Sequence, residues 1–132
     1  MTPQKKNIKI LIAPLNWGLG HATRCIPIIN ALLKYKFTPI IAGDGDSLTL
    51  LKKEFPQLSY YTLPSYNIKY SEKGNLKLKL LLNAPFFIKV MLKEQKEIKK
   101  IHKIENLSGI ISDNRFGVYH PNLPSIYITH QI

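Results

Sequence analysis

The residues able to do chemistry in this chain fall where apolar runs end. Asn16 and His21 follow the run Ile8-Lys9-Ile10-Leu11-Ile12-Ala13. Asp44 follows a second such run, residues 113–115 (Asp, Asn, Arg) a later one, and His130 the last. An imidazole exchanges protons near neutral pH, and an arginine such as Arg24 or Arg115 grips phosphate or carboxylate through paired N–H donors. Nowhere do cysteines, histidines and acids take a metal-ligand spacing such as CxxC or HExxH, so no metal site is expected.

The elements that must position these groups read as alternating strands and helices. The first apolar run, bounded by Pro14, fits a strand buried on both faces of a parallel sheet. Gly18 and Gly20 then let the backbone turn and let a ligand approach the main chain. Ala22, Ile26, Ile29 and Leu33 recur at helical spacing, so the loop delivers His21 to a helix N-terminus, where unpaired N–H groups suit an anion. Pro27 tolerates only a first turn, which predicts a regular helix over about residues 23–35. A second strand is expected over 37–42, a short helix over 48–55 capped by Asp46 or Ser47, and a third strand over 58–63.

Residues 65–75 are polar, aromatic and irregular. The basic region that follows is expected to be helical and interrupted at Pro85, giving a short apolar arm over 76–84 and a longer helix over 86–104. In that helix Phe87, Met91, Ile98 and Ile101 share one face, with lysines on the others, as in a crossover helix packed on a sheet. Leu80-Leu81-Leu82 with Phe86 and Phe87, ringed by lysines, also suits contact with a membrane surface. Strands over 109–112 and 125–129 complete an α/β, Rossmann-like parallel sheet of about five strands flanked by helices. Open parallel sheets hold ligands at the carboxyl ends of their strands, and the polar groups gather at that edge.

Length bounds the chain to one domain, residues 1–132. Nineteen Lys and Arg against eight Asp and Glu give a net charge of +11, which implies an anionic partner. Most of these cations are lysines, without the arginines and interleaved aromatics of a nucleic-acid interface, so no nucleic acid is expected as a partner. An anionic membrane surface or a phosphorylated substrate is what the charge leaves open. The single cysteine, Cys25, forms no internal disulfide, and a reduced, cytoplasmic setting is the default expectation. The ending directly after a strand leads us to expect one half of a longer protein.

Gly18-Leu19-Gly20-His21-Ala22-Thr23-Arg24 resembles the first loop of two-domain, GT-B-fold glycosyltransferases. The nearest likeness is to bacterial proteins similar to the lipid-linked peptidoglycan GlcNAc-transferase (glycosyltransferase family 28-like). Ile111-Ser112-Asp113-Asn114-Arg115-Phe116-Gly117 and Pro124-Ser125-Ile126-Tyr127-Ile128-Thr129-His130-Gln131 resemble the last two strand-and-loop units of the same N-terminal domain, although the second loop holds only Gly117. The resemblance implies an acceptor-binding domain, with the nucleotide-sugar donor held by a C-terminal domain absent from this chain, and no cofactor besides that co-substrate. It implies that His21 is the general base, oriented by Asp113 in a His–Asp dyad. Asn16, Gly18, Gly20, Arg24, Arg115 and His130 would bind a sugar or lipid-linked acceptor. A cytoplasmic location, peripheral at the inner membrane face, goes with such an acceptor.

Other readings stand beside this one. A histidine after a glycine loop is as often a capping residue as a base, and Asp113, Asp44 and Asp46 suit turns and caps. Gly18-x-Gly20-x-x-Thr23 followed by Asp44 is also a degraded dinucleotide fingerprint, which would make the chain an oxidoreductase domain. His21 in the loop and Thr23 at the third glycine position count against that. A non-catalytic, membrane-associated binding module is the third reading.

Overall fold

The computed structural model describes residues 8–16, 19–65, 84–115 and 117–128. Trp17, Gly18, His130 and the expected apolar arm before Ala84 lie outside the described residues, as do residues 66–75. Within them, five strands form one parallel sheet: β1 (Lys9–Pro14), β2 (Thr38–Gly43), β3 (Tyr60–Thr62), β4 (Gly109–Asp113) and β5 (Ser125–Ile128). Their spatial order is β3-β2-β1-β4-β5, so β1 lies at the centre and the chain winds outward in both directions. Helices α1 (Gly20–Lys34), α2 (Gly45–Glu54) and α3 (Ala84–Glu105) fill the connections.

Side chains alternate across a strand, and this alternation divides the core into two layers. Ile12 and Ile41 pack with Ala22, Cys25, Ile29, Leu48, Leu51 and Phe55 under α1 and α2. Leu11, Ala13, Ile40, Ala42 and Ile110 pack with Ile98 and Ile101 of α3 on the opposite face. Because β1 is covered on both faces, its run is apolar throughout rather than alternating. Each fully buried Leu or Ile contributes about 1.5–3 kcal/mol. The outermost strand on the other side, β5, leaves Ile126 and Tyr127 exposed.

Several boundaries differ from the sequence reading for identifiable reasons. Helix α1 begins at Gly20 and runs through Pro27, three residues earlier than the proline suggested. Pro27 and Thr23, whose carbonyl loses its helical partner, both lie on the exposed face, where water can substitute. The helix ends with Lys36 at φ 71, and the Phe37 and Lys36 amides donate to the carbonyls of Leu32 and Leu33. Pro39 is tolerated inside β2 because alternate amides face alternate neighbours. Thr38 donates to Ile8 and Ile41 to Ser59, so the donor that Pro39 lacks faces the side where β3 has not yet begun.

Helix α2 starts at Gly45, earlier than residue 48, with Asp44 at the N-cap position rather than Asp46 or Ser47. The Asp44 side chain makes no capping bond. In its place Asn16, from the end of β1, accepts the Ser47 amide at 3.2 Å. On α3 the buried stripe is Val90, Glu94, Ile98 and Ile101, with Phe87 half-buried beside Leu15 and Val90. An acid thus occupies the centre of the stripe where Met91 was expected to help form it.

Candidate functional site

The carboxyl edge of the sheet carries two polar clusters, one on each face of β4. On the α1 face Asp113, the last residue of β4, is 1% exposed and lies opposite Pro14 of β1. The Leu15 amide donates to the Asp113 carbonyl at 2.9 Å, which locks the two strand ends together. His21 and Arg24 reach the Asp113 carboxylate from the first turns of α1. Arg24 Nη2 donates to Oδ1 at 2.8 Å and Oδ2 at 3.1 Å, and Nε donates to Oδ2 at 3.3 Å. His21 Nδ1 stands 3.3 Å from Asp113 Oδ1 and 2.9 Å from Arg24 Nη2. The pair predicted to form a dyad is therefore in contact, with Arg24 as a third member. No side chain caps the N-terminus of α1; Leu19 holds the N-cap position and its carbonyl accepts the Thr23 amide and hydroxyl.

Neighbouring groups register the Asp113 charge. Cys25, one turn along the inner face of α1, is fully buried. Burial above all, and then the Asp113 carboxylate, push its thiol up to about 12 against a small opposing effect of Arg24. Tyr127 on β5 is also raised, by burial first and by Asp113 second. Its hydroxyl contacts Asn114 Oδ1 at 3.4 Å.

The second cluster is buried under α3. Arg115, expected among the acceptor ligands, is 0% exposed. Its guanidinium donates to Glu94 Oε2 (2.5 Å), Asp44 Oδ1 (2.7 Å), the Pro14 carbonyl (3.1 Å) and the Pro64 carbonyl (2.6 Å). One side chain thus ties α3 to the ends of β1 and β2 and to the residues after β3. Asn114, at φ 61, makes the turn that sends Arg115 to the face opposite Asp113. Ser112 closes this turn, its hydroxyl donating to the Arg115 carbonyl at 2.7 Å and accepting the Arg115 amide at 3.1 Å. Gly117 is required by close approach: a Cβ there would lie 2.4 Å from the Met91 carbonyl and 2.9 Å from Glu94 Cβ.

The remaining expected ligands divide. Gly20 opens α1 with open space where a Cβ would stand, and Arg24 is one-third exposed at the carboxyl edge of the sheet. Asn16 is engaged in holding α2, and Gly45, at φ 58, packs directly against its carboxamide. Gly18 and His130 are outside the described residues. Sequence reasoning missed Glu94, and the signal available was an acid four residues from both Val90 and Ile98 in an apolar stripe. Lysines cluster instead along α3, where Lys93, Lys96 and Lys100 with Thr62, Leu63, Pro64 and Glu97 line a groove of about 520 Å³. Among the described residues no group of three or more His, Cys, Asp or Glu could hold a metal ion, and no helix is long and apolar enough to cross a membrane.

No family model matches the sequence, and no curated protein matches it closely. Solved structures do match the fold. The chain superposes on the glycosyltransferase SsfS6 of Streptomyces sp. SF2575 with a TM-score of 0.65 at 12% identity, over 93% of this chain and 39% of that one. The spinosyn rhamnosyltransferase SpnG gives a TM-score of 0.66 at 15% identity, over 92% and 35%. UGT2 of Phytolacca americana, solved with UDP-2fluoro-glucose and pterostilbene, gives 0.58 at 15% identity, over 87% and 27%. The chain therefore spans less than two fifths of the length of each of these proteins. They are GT-B glycosyltransferases, and the five-stranded parallel sheet with its flanking helices has the architecture of their N-terminal half.

Proposed function

We propose that this chain is the acceptor-binding N-terminal half of a glycosyltransferase, working with a donor domain that lies outside it. The observation that carries the reading is the meeting of His21 and Asp113 at the carboxyl edge of β1 and β4, 3.3 Å apart, in a fold shared with such enzymes. In the proposed reaction His21 Nε2 takes the proton of an acceptor hydroxyl. The oxygen attacks the anomeric carbon of a nucleotide-diphosphate sugar. The bond from that carbon to the diphosphate breaks, and the nucleotide leaves with the electron pair. Asp113 stabilises the imidazolium that forms, as a buried carboxylate can.

The basic helix supports an anionic acceptor. Lys93, Lys96 and Lys100 concentrate positive charge beside the end of β3, on the same edge of the sheet as His21. Exposed Phe86, Ile88 and Leu92 on α3 add apolar surface near these lysines. Together they favour a lipid-linked acceptor at the inner face of a cytoplasmic membrane, in the manner of the peptidoglycan GlcNAc-transferase group that the glycine loop resembles. Nothing observed favours the oxidoreductase reading.

The test is to follow the reading frame beyond Ile132, express its complete product and assay it for turnover of UDP-, GDP- and TDP-sugars. We expect turnover, lost by a factor of about 10²–10⁴ in His21→Ala, the range of a general base. No sugar-nucleotide binding or turnover by that product, or full activity in His21→Ala, refutes the assignment.

A further inference from the structure

We infer that Arg24 is a positioning residue that holds His21 in the tautomer unable to act as a base, so that Arg24 must let go before Nε2 can take a proton. The inference rests on the proposed role of His21 but is read from hydrogen-bond accounting at the site. A guanidinium has N–H donors and no acceptor. Its 2.9 Å contact with His21 Nδ1 is a hydrogen bond only if Nδ1 presents a lone pair. Nη2 carries two protons: one faces Nδ1, and the other is shared between the two Asp113 oxygens, Oδ1 at 2.8 Å and Oδ2 at 3.1 Å. The neutral imidazole then carries its proton on Nε2, the nitrogen that would otherwise serve as the base.

The alternative arrangement is equally definite. If Nδ1 carried the proton it would donate to Asp113 Oδ1, now 3.3 Å away, and Nε2 would be bare. Nδ1–H would then face an Arg24 N–H at 2.9 Å, two donors in opposition. The two patterns exclude each other, so the side chain of Arg24 selects between them. Arg24 is also the most exposed of the three, at 34% against 12% for His21 and 1% for Asp113. It is the member a ligand can draw away. An acceptor bearing a phosphate or carboxylate is the substrate class suited to do so. With Arg24 withdrawn, Nε2 loses its proton to water while Nδ1 gains one from water, and the ring turns its new donor to Asp113.

The experiment is long-range 1H–15N NMR on the 15N-labelled chain at a pH where its imidazoles are neutral, comparing wild type with Arg24→Met. We expect the wild type to show His21 with Nδ1 bare and Nε2 protonated, and Arg24→Met to show the reverse. A 15N–15N coupling across the hydrogen bond from Arg24 Nη2 to His21 Nδ1 gives the same answer without a substitution, should Arg24→Met fail to fold. Wild type with a protonated Nδ1, absence of that coupling with Nη2 resolved, or an unchanged tautomer in folded Arg24→Met overturns the inference. Sugar turnover lost in His21→Ala alongside a protonated Nδ1 would keep the transferase assignment and remove only this one. A bare Nδ1 supports it whether or not the complete protein moves a sugar.

Discussion

Replacing Arg115 by Met tests whether the cluster beneath the site holds the carboxyl edge together. Methionine fills much of the volume but leaves Glu94, with a side chain 0% exposed, and Asp44, 9% exposed, without their cation. Removing one partner of a buried ion pair costs about 3–5 kcal/mol, because the remaining charge is uncompensated. The carbonyls of Pro14 and Pro64 also lose a donor each, at about 1 kcal/mol apiece, not fully additive. The expected loss is therefore ~4–6 kcal/mol, against a total of ~5–15 for an ordinary domain. At an unfolding entropy of about 2.1 cal/mol/K per residue, a chain of 132 residues loses roughly 15–20 °C in Tm. Urea denaturation followed by circular dichroism measures it. Adding Glu94→Gln removes one stranded charge while keeping an oxygen for the Gly117 amide, so the double variant should recover about 2 kcal/mol. A single variant within about 1 kcal/mol of wild type, or strict additivity of the pair, would refute the buried-cluster argument.

Two further perturbations probe the surrounding frame. Gly45→Ala forces an alanine to φ 58 and sets its Cβ 2.1 Å from Asn16 Nδ2; we expect a loss of about 2–4 kcal/mol in urea titration. Adding Asn16→Ala should restore part of that loss, and a double variant no more stable than the single shows that the clash is not the cause. Cys25, with its thiol pushed up to about 12 mainly by burial, should resist a thiol reagent at pH 8 and react only in denaturant. Because the folded thiol ionises later than the unfolded one, its contribution to stability is whole below pH 9.0 and is lost as the pH rises towards about 12. Rapid native labelling would contradict its placement.

The sheet was legible because strand signals are local. Five apolar runs bounded by glycine, proline or polar residues marked five strands, and parallel order followed from the helices between them. Periodicity also found α1 and α3, and their ends erred where a side chain far along the chain decides. Asn16 sets the start of α2 from thirty-one positions away, and water on an exposed face lets α1 continue through Pro27. Arg115 shows what periodicity leaves open. It follows Asp113 by two residues, and on a continued strand the two would share a face. The left-handed turn at Asn114 sends them to opposite layers, a backbone choice that asparagine permits but does not announce. Glu94 was hidden for a related reason: an acid in an apolar stripe reads as an interruption until its cation is known.

The chain's net charge and its site address an anion in different ways. Six of the seventeen lysines that make the sequence basic lie along α3, on the face of the sheet opposite α1. Charges on such a surface act over about a Debye length, ~8 Å at physiological salt, and impose no geometry. The two arginines at the edge do impose geometry, and both are satisfied internally: Arg115 by Glu94 and Asp44, Arg24 by Asp113. Of the two, Arg24 is the one that can exchange its partner for a ligand, since its side chain is one-third exposed while Arg115 is sealed beneath α3. On the proposed reading, recognition by this chain rests on a competition between a buried carboxylate and an incoming anion for one guanidinium. The outcome of that competition decides the state of the histidine between them.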